Sequence, residues 1–302
     1  ADYYWNVNKQ SAYILDEIRK AFVEGDQKKA EKLTRENFNS EVPYEFSREK
    51  PFRFGNFTTM GEFYVETGLS TIGMSDYKRI LSLDSAMAVV QFKKDDVAYQ
   101  RNYFISSPAN VMVMRFSADQ PGKQNLTFRY APNPVSTGQF SADGNNGLVY
   151  TASLDNNGMK YAVRIQATVK GGTLNNTDGR ITVKEADAVV FYVTADTDYK
   201  MNFAPDFTDP KTYVGVNPLE TTQQWMKDAV AKGYANLLDE HYKDYASLFN
   251  RVKLELNPTV KTSNLPTAQR LKNYRKGQPD YYLEKLYYQF GRYLLIASSR
   301  PG

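Results

Sequence analysis

The chain has no cysteine and a single histidine, His241, among its 302 residues. The missing thiol excludes disulfide bridges, thiolate metal sites and cysteine nucleophiles. One imidazole cannot build a catalytic metal site that needs two or three histidines, and a Ser/His/Asp hydrolase would have to use His241. No glycine-rich phosphate loop follows a predicted strand either. We therefore expect neither a metal ion nor a cofactor.

Two further absences concern partners and location. The sequence has no apolar run of membrane-spanning length, so we expect no membrane insertion. Its 38 basic and 34 acidic residues nearly balance, and no Lys/Arg block marks a phosphate-binding surface, so we expect no nucleic acid partner. The lack of cysteine is compatible with folding outside the cytoplasm. We expect a periplasmic or secreted protein, with no signal peptide present in this chain.

Helical spacing is present near the beginning of the chain. Ser11 is predicted to cap a helix that ends at Gly25, and Asp26 is predicted to cap a second helix that carries Ala30, Leu33 and Phe38. These elements predict a small helical segment ahead of the main domain.

From about Phe52 to Phe207 the apolar period changes to two, which indicates β-strands. The pair Asp95-Asp96 separates two alternating runs and predicts an antiparallel hairpin. Further strands are predicted at Asn110–Ala118, Gln124–Ala131, Leu148–Leu154, Met159–Val169, Arg180–Val183 and Ala188–Thr194, with turns at positions such as Gly171-Gly172. Many short strands without intervening helices predict a large antiparallel β-sandwich.

After the sandwich, helical spacing returns. Thr222 to Phe249 predicts one long helix or two joined helices, and Val252–Leu256 resembles a short strand. A helix is predicted from Thr267 to about Tyr274. The terminal stretch Asp280 to Gly302 is the most apolar amphipathic helix in the sequence, and we expect it to open a further domain.

Few residues stand out for chemistry. Asp244 lies three residues after His241 and could bond its imidazole, which would make His241 a general acid or base, or a structural residue of the helical linker. Pairs of carboxylates such as Asp95-Asp96 lie in predicted turns, where acids are common in any case. Spacing alone therefore identifies no catalytic residue.

Several segments resemble glycoside hydrolase family 95, which contains α-L-fucosidases and α-L-galactosidases. These are Leu237-Leu238-Asp239-Glu240-His241 with Asp244-Tyr245, Leu248-Phe249-Asn250-Arg251-Val252, Leu265-Pro266-Thr267, and Tyr288 to Gly302; Tyr77 to Asp84 and Val97 to Arg115 also look similar. The resemblance covers roughly residues 15 to 302 and is most specific in the linker and tail.

The resemblance implies a mainly β fold with α elements: a supersandwich-like domain, a helical linker and the first helices of an α/α six-hairpin barrel. In this sequence we expect a helical segment over 1–44, the sandwich over 45–217, the linker over 218–264 and the start of the barrel over 265–302. His241 and Asp244 would be structural residues of the linker. Arg300 would lie at the mouth of the barrel, close to substrate or in a structural salt bridge.

In function, the resemblance implies an inverting exo-hydrolase that removes terminal α-L-fucosyl or α-L-galactosyl groups from glycans. Its acid and base would lie beyond Gly302, so this chain alone is expected to be inactive and to meet its glycan through the rest of the catalytic domain. The alternative is a carbohydrate-binding or scaffold sandwich without catalytic activity. The apolar terminal helix favours the enzyme, because a separate binding module has no use for such an exposed face.

Overall fold

The computed structural model describes residues 11–38, 58–155, 158–177, 179–204, 206, 209, 211–256 and 265–300. These residues form two compact units. The smaller unit takes its described residues from 1–59, 154–158 and 201–213, and the larger unit takes the others. Phe52 and Phe207, the predicted limits of the strand-rich region, lie outside the described residues.

The smaller unit contains a helical pair. A 3-10 turn at Ser11–Ile14 leads into α1 (Leu15–Val23), and α2 spans Gln27–Phe38. Asp26 caps α2 as predicted, because its carboxylate accepts a hydrogen bond from the Lys29 amide at 3.0 Å. The prediction for Ser11 is wrong: Ile14 occupies the N-cap position of α1, and the 3-10 turn precedes it. Ile18, Ala21 and Ala30 form the small apolar core of this pair.

In the part that the structure describes, the larger unit contains twelve strands in two antiparallel sheets. Four strands form the small sheet in the order β1-β6-β11-β10, and eight form the large sheet in the order β2-β3-β4-β5-β12-β9-β8-β7. The strands are β1 (Gly61–Glu66), β2 (Ser75–Ser82), β3 (Met87–Lys94), β4 (Val97–Ser106), β5 (Val111–Ala118), β6 (Gln124–Pro132), β7 (Ser136–Ala142), β8 (Gly147–Leu154), β9 (Lys160–Lys170), β10 (Thr173–Thr177), β11 (Arg180–Ala186) and β12 (Ala188–Thr197).

The predicted hairpin is confirmed as β3 and β4. Lys94 pairs with Val97 across a two-residue turn, in which Asp95 and Asp96 have φ values of 50° and 59°. Positive φ at both turn positions gives the twist that matches paired strands, and aspartate tolerates this conformation better than most residues. The Gly171-Gly172 turn is confirmed between β9 and β10, again with positive φ at both residues.

The two sheets pack face to face through aromatic and branched side chains. The rings of Phe128 in β6 and Phe191 in β12 stack with centroids 4.7 Å apart. Ile181 and Val183 of β11 and Val189 of β12 are also fully buried. The predicted β-sandwich is therefore confirmed.

The opposite face of the large sheet is covered by α3 (Pro218–Phe249). The sheet and the helix share one apolar core. The sheet side contributes Phe104, Val111, Val113 and Tyr192, and the helix contributes Met226, Ala229 and Leu237. Asn217 caps α3 by accepting from the Leu219 amide at 3.1 Å, and Pro218 occupies the first turn, where no amide hydrogen is needed.

Of the two predicted forms of α3, the structure has two joined helices. Gly233 breaks the helix with φ 71° and ψ 169°. The strand predicted at Val252–Leu256 is wrong. Instead, the Val252 carbonyl accepts a hydrogen bond from the Arg292 guanidinium at 2.9 Å. A side chain thus supplies the donor that the main chain of a neighbouring strand would have supplied.

Two further helices follow among the described residues of the larger unit: α4 (Thr267–Arg275) and α5 (Tyr281–Ser298). Asp280 caps α5 through the Leu283 amide and also accepts from Arg270 Nε at 2.8 Å, which links the two helices. Arg292 donates to the Phe249 carbonyl at 2.8 Å and so ties α5 to the end of α3. Much of the apolar surface of α5 is exposed; Tyr287 and Leu295 are 79% and 64% accessible.

The Gly233 break yields a testable prediction. An added Cβ at Gly233 would meet no atom within 4 Å, so Gly233→Ala isolates the backbone strain of a conformation that is essentially restricted to glycine. We expect the free energy of unfolding to fall by about 1–3 kcal/mol in urea titrations. Gly291→Ala is the matched control, because Gly291 lies within α5 and is equally unobstructed, and we expect it to stabilise by about 0.5–1 kcal/mol. Equal effects at both positions would contradict the strain assigned to Gly233.

Candidate functional site

A cleft of about 720 Å³ lies in the larger unit, where α3 and α5 meet the sheets. Its volume falls within the range of small-molecule sites. The polar and aromatic side chains that line it include Tyr103, Ser106, Trp225, His241, Tyr245, Tyr293 and Arg300. The predicted residues His241 and Arg300 thus meet in one place, although 59 positions separate them in the sequence.

His241 is buried on α3, beneath the aromatic ring of Phe104 at a centroid distance of 5.0 Å. Its Nε2 lies 2.9 Å from the Ser85 carbonyl, an acceptor that requires the nitrogen to carry hydrogen. Burial lowers the pKa of His241, while the Ser85 main chain and the charge of Asp244 oppose that shift. The imidazole therefore binds the β2–β3 turn as a neutral donor.

Tyr245 holds the same turn one helical turn later. Its hydroxyl donates to the Leu83 carbonyl at 2.7 Å, and burial raises its pKa to about 12. Ala86, at the end of this turn, has φ 48°, a conformation that costs free energy in a residue other than glycine. The two hydrogen bonds from α3 offset part of that cost and fix the turn against the helix.

Asp244 pairs with Arg300 and not with His241. The Arg300 Nη2 lies 2.6 Å from Asp244 Oδ2, and Nη1 lies 3.3 Å from Oδ1. Both side chains remain more than a quarter exposed, so this bidentate pair contributes orientation more than stability. The expected hydrogen bond, in which Asp244 would accept from the imidazole, is thus replaced by the ion pair with Arg300, and Asp244 acts on His241 through its charge.

Ser106, which ends β4 at the wall of the cleft, lies within the resembling segment Val97 to Arg115 but was not predicted to be a site residue. Its side chain is fully buried, and its hydroxyl has no hydrogen-bond partner among the residues that the structure describes. A serine at the end of a strand gives no sequence signal for such a position, since serine is equally common in exposed turns.

The chemistry available in the cleft is that of binding and positioning. Its described lining contains aromatic, hydroxyl, imidazole and guanidinium groups but no aspartate or glutamate. Glycoside hydrolysis by inversion needs two carboxyl groups roughly 6.5–9.5 Å apart. The described lining can therefore bind and orient a ligand, but it does not supply the two carboxyl groups that inversion needs. Among the described residues there is also no cluster of three metal-ligating side chains and no helix able to cross a membrane.

The chain matches two family models. Residues 4–202 match the N-terminal domain of glycosyl hydrolase family 65, and residues 233–302 match the catalytic domain of glycosyl hydrolase family 95. The first match covers the sandwich strands. The second begins at Gly233, the break in α3, and includes His241, Asp244 and Arg300.

Curated relatives carry fucosidase names. Probable alpha-fucosidase A of Aspergillus niger is 33% identical over 270 residues, which make up 84% of this chain and 32% of that protein. Alpha-L-fucosidase 2 of Arabidopsis thaliana is 28% identical over 76% of this chain and 29% of that protein. The chain thus spans about a third of the length of these relatives. Among solved structures, a putative kojibiose phosphorylase from human microbiome has a TM-score of 0.43 and 12% identity over 62% of this chain and 27% of that chain.

The buried imidazole yields a prediction about pH. Because the folded pKa of His241 lies below the unfolded value of about 6.5, the unfolded chain takes up a proton first as the pH falls. Stability should therefore decline from pH 6.5 down to the folded pKa, by no more than about 1.4 kcal/mol per pH unit from this group. Urea unfolding of the wild type and of His241→Gln across this range measures the effect. A variant whose stability declines as steeply as the wild type would contradict the assignment.

Proposed function

The chain belongs to glycoside hydrolase family 95, and from this membership we propose that it forms the N-terminal part of an exo-acting hydrolase that removes terminal α-L-fucosyl or α-L-galactosyl residues from glycans. The observation that carries the proposal is the order of the two family matches, because the catalytic-domain match at 233–302 follows the N-terminal-domain match at 4–202 in the same chain. The fucosidase names of the relatives support fucose as the sugar.

We propose that this hydrolase inverts the anomeric centre and that its acid and base lie in the part of the family that this chain does not span. The absence of carboxylates from the described lining of the cleft supports this division of labour. The chain would act as scaffold: the sandwich and α3 hold α5 and Arg300 in place, and the glycan meets the complete catalytic domain. A periplasmic or secreted location is part of the same proposal.

The proposed domains keep the division into 1–44, 45–217, 218–264 and 265–302. The last strand ends at Thr197 and α3 begins at Pro218, which supports the boundary at 217. The catalytic family model begins earlier than residue 265, at residue 233. The second half of α3 therefore belongs both to the proposed linker and to the segment that matches the catalytic domain of family 95.

Arg300 is our candidate for a residue near the substrate. The Asp244 carboxylate holds its guanidinium at the cleft through one hydrogen each of Nη1 and Nη2. Three of the five N–H donors, including that of Nε, are then left for sugar hydroxyls. The alternative reading of the whole chain, a carbohydrate-binding sandwich without catalysis, would leave the match to a catalytic domain unexplained.

Hydrolysis of 4-nitrophenyl α-L-fucoside tests the proposed activity. We expect the product of the whole gene to release 4-nitrophenol and to form β-L-fucose first, as seen by proton NMR, because inversion reverses the anomeric configuration. The 302-residue chain alone should leave the substrate unchanged. Turnover by the chain that persists through further purification would contradict the placement of the catalytic groups, and an inactive whole gene product would contradict the function itself.

Variants of Arg300, which follows α5, and of Arg292, which lies within α5, test the role of Arg300. In the whole gene product, Arg300→Met should raise KM for the fucoside about tenfold, as expected for the loss of one charge-assisted hydrogen bond of about 1.5 kcal/mol. Arg292→Met is the matched control: it removes a guanidinium that binds main-chain carbonyls of α3 and should lower Tm while leaving KM within about twofold. If both variants lower Tm and neither changes KM, Arg300 is only structural.

A further inference from the structure

A second concave surface lies on the large sheet, on the face that α3 covers only in part. It is a groove of about 570 Å³ over β2, β3, β4 and β5. Cross-strand pairing places Gln91, Gln100 and Ser117 side by side along its floor. We call Gln91, Gln100 and Asn102 the amide row; the Ser117 hydroxyl lies beside it.

The amides of this row orient one another. Gln91 Nε2 donates to Gln100 Oε1 at 3.0 Å, and Gln100 Nε2 donates to Asn102 Oδ1 at 3.0 Å. Gln91 and Gln100 are half-buried and Asn102 is buried. Each amide nitrogen carries two hydrogens, and the row uses one of them, so Gln91 and Gln100 each keep a donor for the groove. Because their side chains are already held in place, Gln91 and Gln100 lose little rotamer freedom on binding a ligand.

The rim of the groove carries charges that cancel. Lys93 pairs with Asp76 at 3.0 Å, and Lys78 and Asp119 also line the groove. Two cations and two anions produce no net field that would draw in a phosphate or an acidic peptide. The floor is uncharged and offers both donors and acceptors.

We propose that this groove binds a neutral saccharide segment of a glycan, through hydrogen bonds from the amide row to neighbouring sugar hydroxyls. A sugar hydroxyl offers one donor and two acceptor lone pairs, and a primary amide offers two donors and a carbonyl acceptor, so the two groups complement each other better than a charged or purely apolar ligand would complement the amides. The open shape suits several sugar units lying along the strands. The choice of a fucosylated probe rests on the proposed function, whereas binding itself is measured without hydrolysis.

We expect weak binding, with Kd on the order of 1 mM, because these hydrogen bonds compete with water. The probe is 2′-fucosyllactose, added to the 302-residue chain at up to about 10 mM, ten times the expected Kd. Side-chain amide resonances of Gln91 and Gln100 should shift in ¹H–¹⁵N spectra, and saturation transferred from the protein should reach the sugar protons.

The matched variants are Gln91→Ala/Gln100→Ala and Gln166→Ala. Gln166 is a half-buried strand glutamine that also bonds a neighbouring amide, Asn146 Oδ1, but it lies outside the groove. We expect the double variant to weaken binding at least about tenfold and Gln166→Ala to bind as the wild type does.

Three results would overturn the proposal. They are unshifted Gln91 and Gln100 amides in the wild type, saturation transfer that survives in the double variant, and equal losses in Gln166→Ala. The amide shifts need no variant, so the test holds even if the double variant unfolds. A whole gene product without fucosidase activity would refute the proposed function and leave this binding result intact.

Discussion

The large sheet is apolar on both faces at its centre, and this constraint determines the arrangement of the larger unit. Successive residues of β12 are buried against different partners: Phe191 stacks on Phe128 of the small sheet, and Tyr192 packs with α3. A strand buried on both sides needs a covering layer on each. The small sheet supplies one layer and α3 supplies the other, so α3 is a structural necessity of the sandwich as well as its connection to α4 and α5.

The position of α3 in turn fixes the cleft. Beyond the break at Gly233, its second half binds main-chain carbonyls of the β2–β3 turn through His241 and Tyr245, and it holds Arg300 through Asp244. Hydrogen bonds to main-chain atoms do not depend on the side chains of the turn, whereas they do require the donors on the helix. The sandwich therefore positions the segment that matches a catalytic domain through side-chain packing and through these few hydrogen bonds.

The sequence predicted the interior of the fold better than its borders. The four strands that its pattern did not single out, β1, β2, β7 and β10, are the edges of the two described sheets. Edge strands bury less of each side chain and carry more polar residues, as in Thr173–Thr177, where leucine is the one apolar side chain. Interior strands such as β9, with five successive buried residues, carry a signal that period and composition reveal. The Val252–Leu256 error has the same origin, because local alternation does not show whether a neighbouring strand exists.

The candidate site was predictable in its residues but not in its contacts. Family resemblance pointed to Arg300, and the single histidine was evident from composition, yet the partner of His241 lies 156 positions away in a turn. Asp244 had two basic neighbours within reach, and spacing along the helix favoured the nearer one. A guanidinium offers two parallel donors to a carboxylate, whereas the buried imidazole is already satisfied by a carbonyl, so the more distant partner in sequence takes the ion pair. Local spacing limits which groups can meet, but burial and hydrogen-bond geometry in the folded unit select the pairs that form.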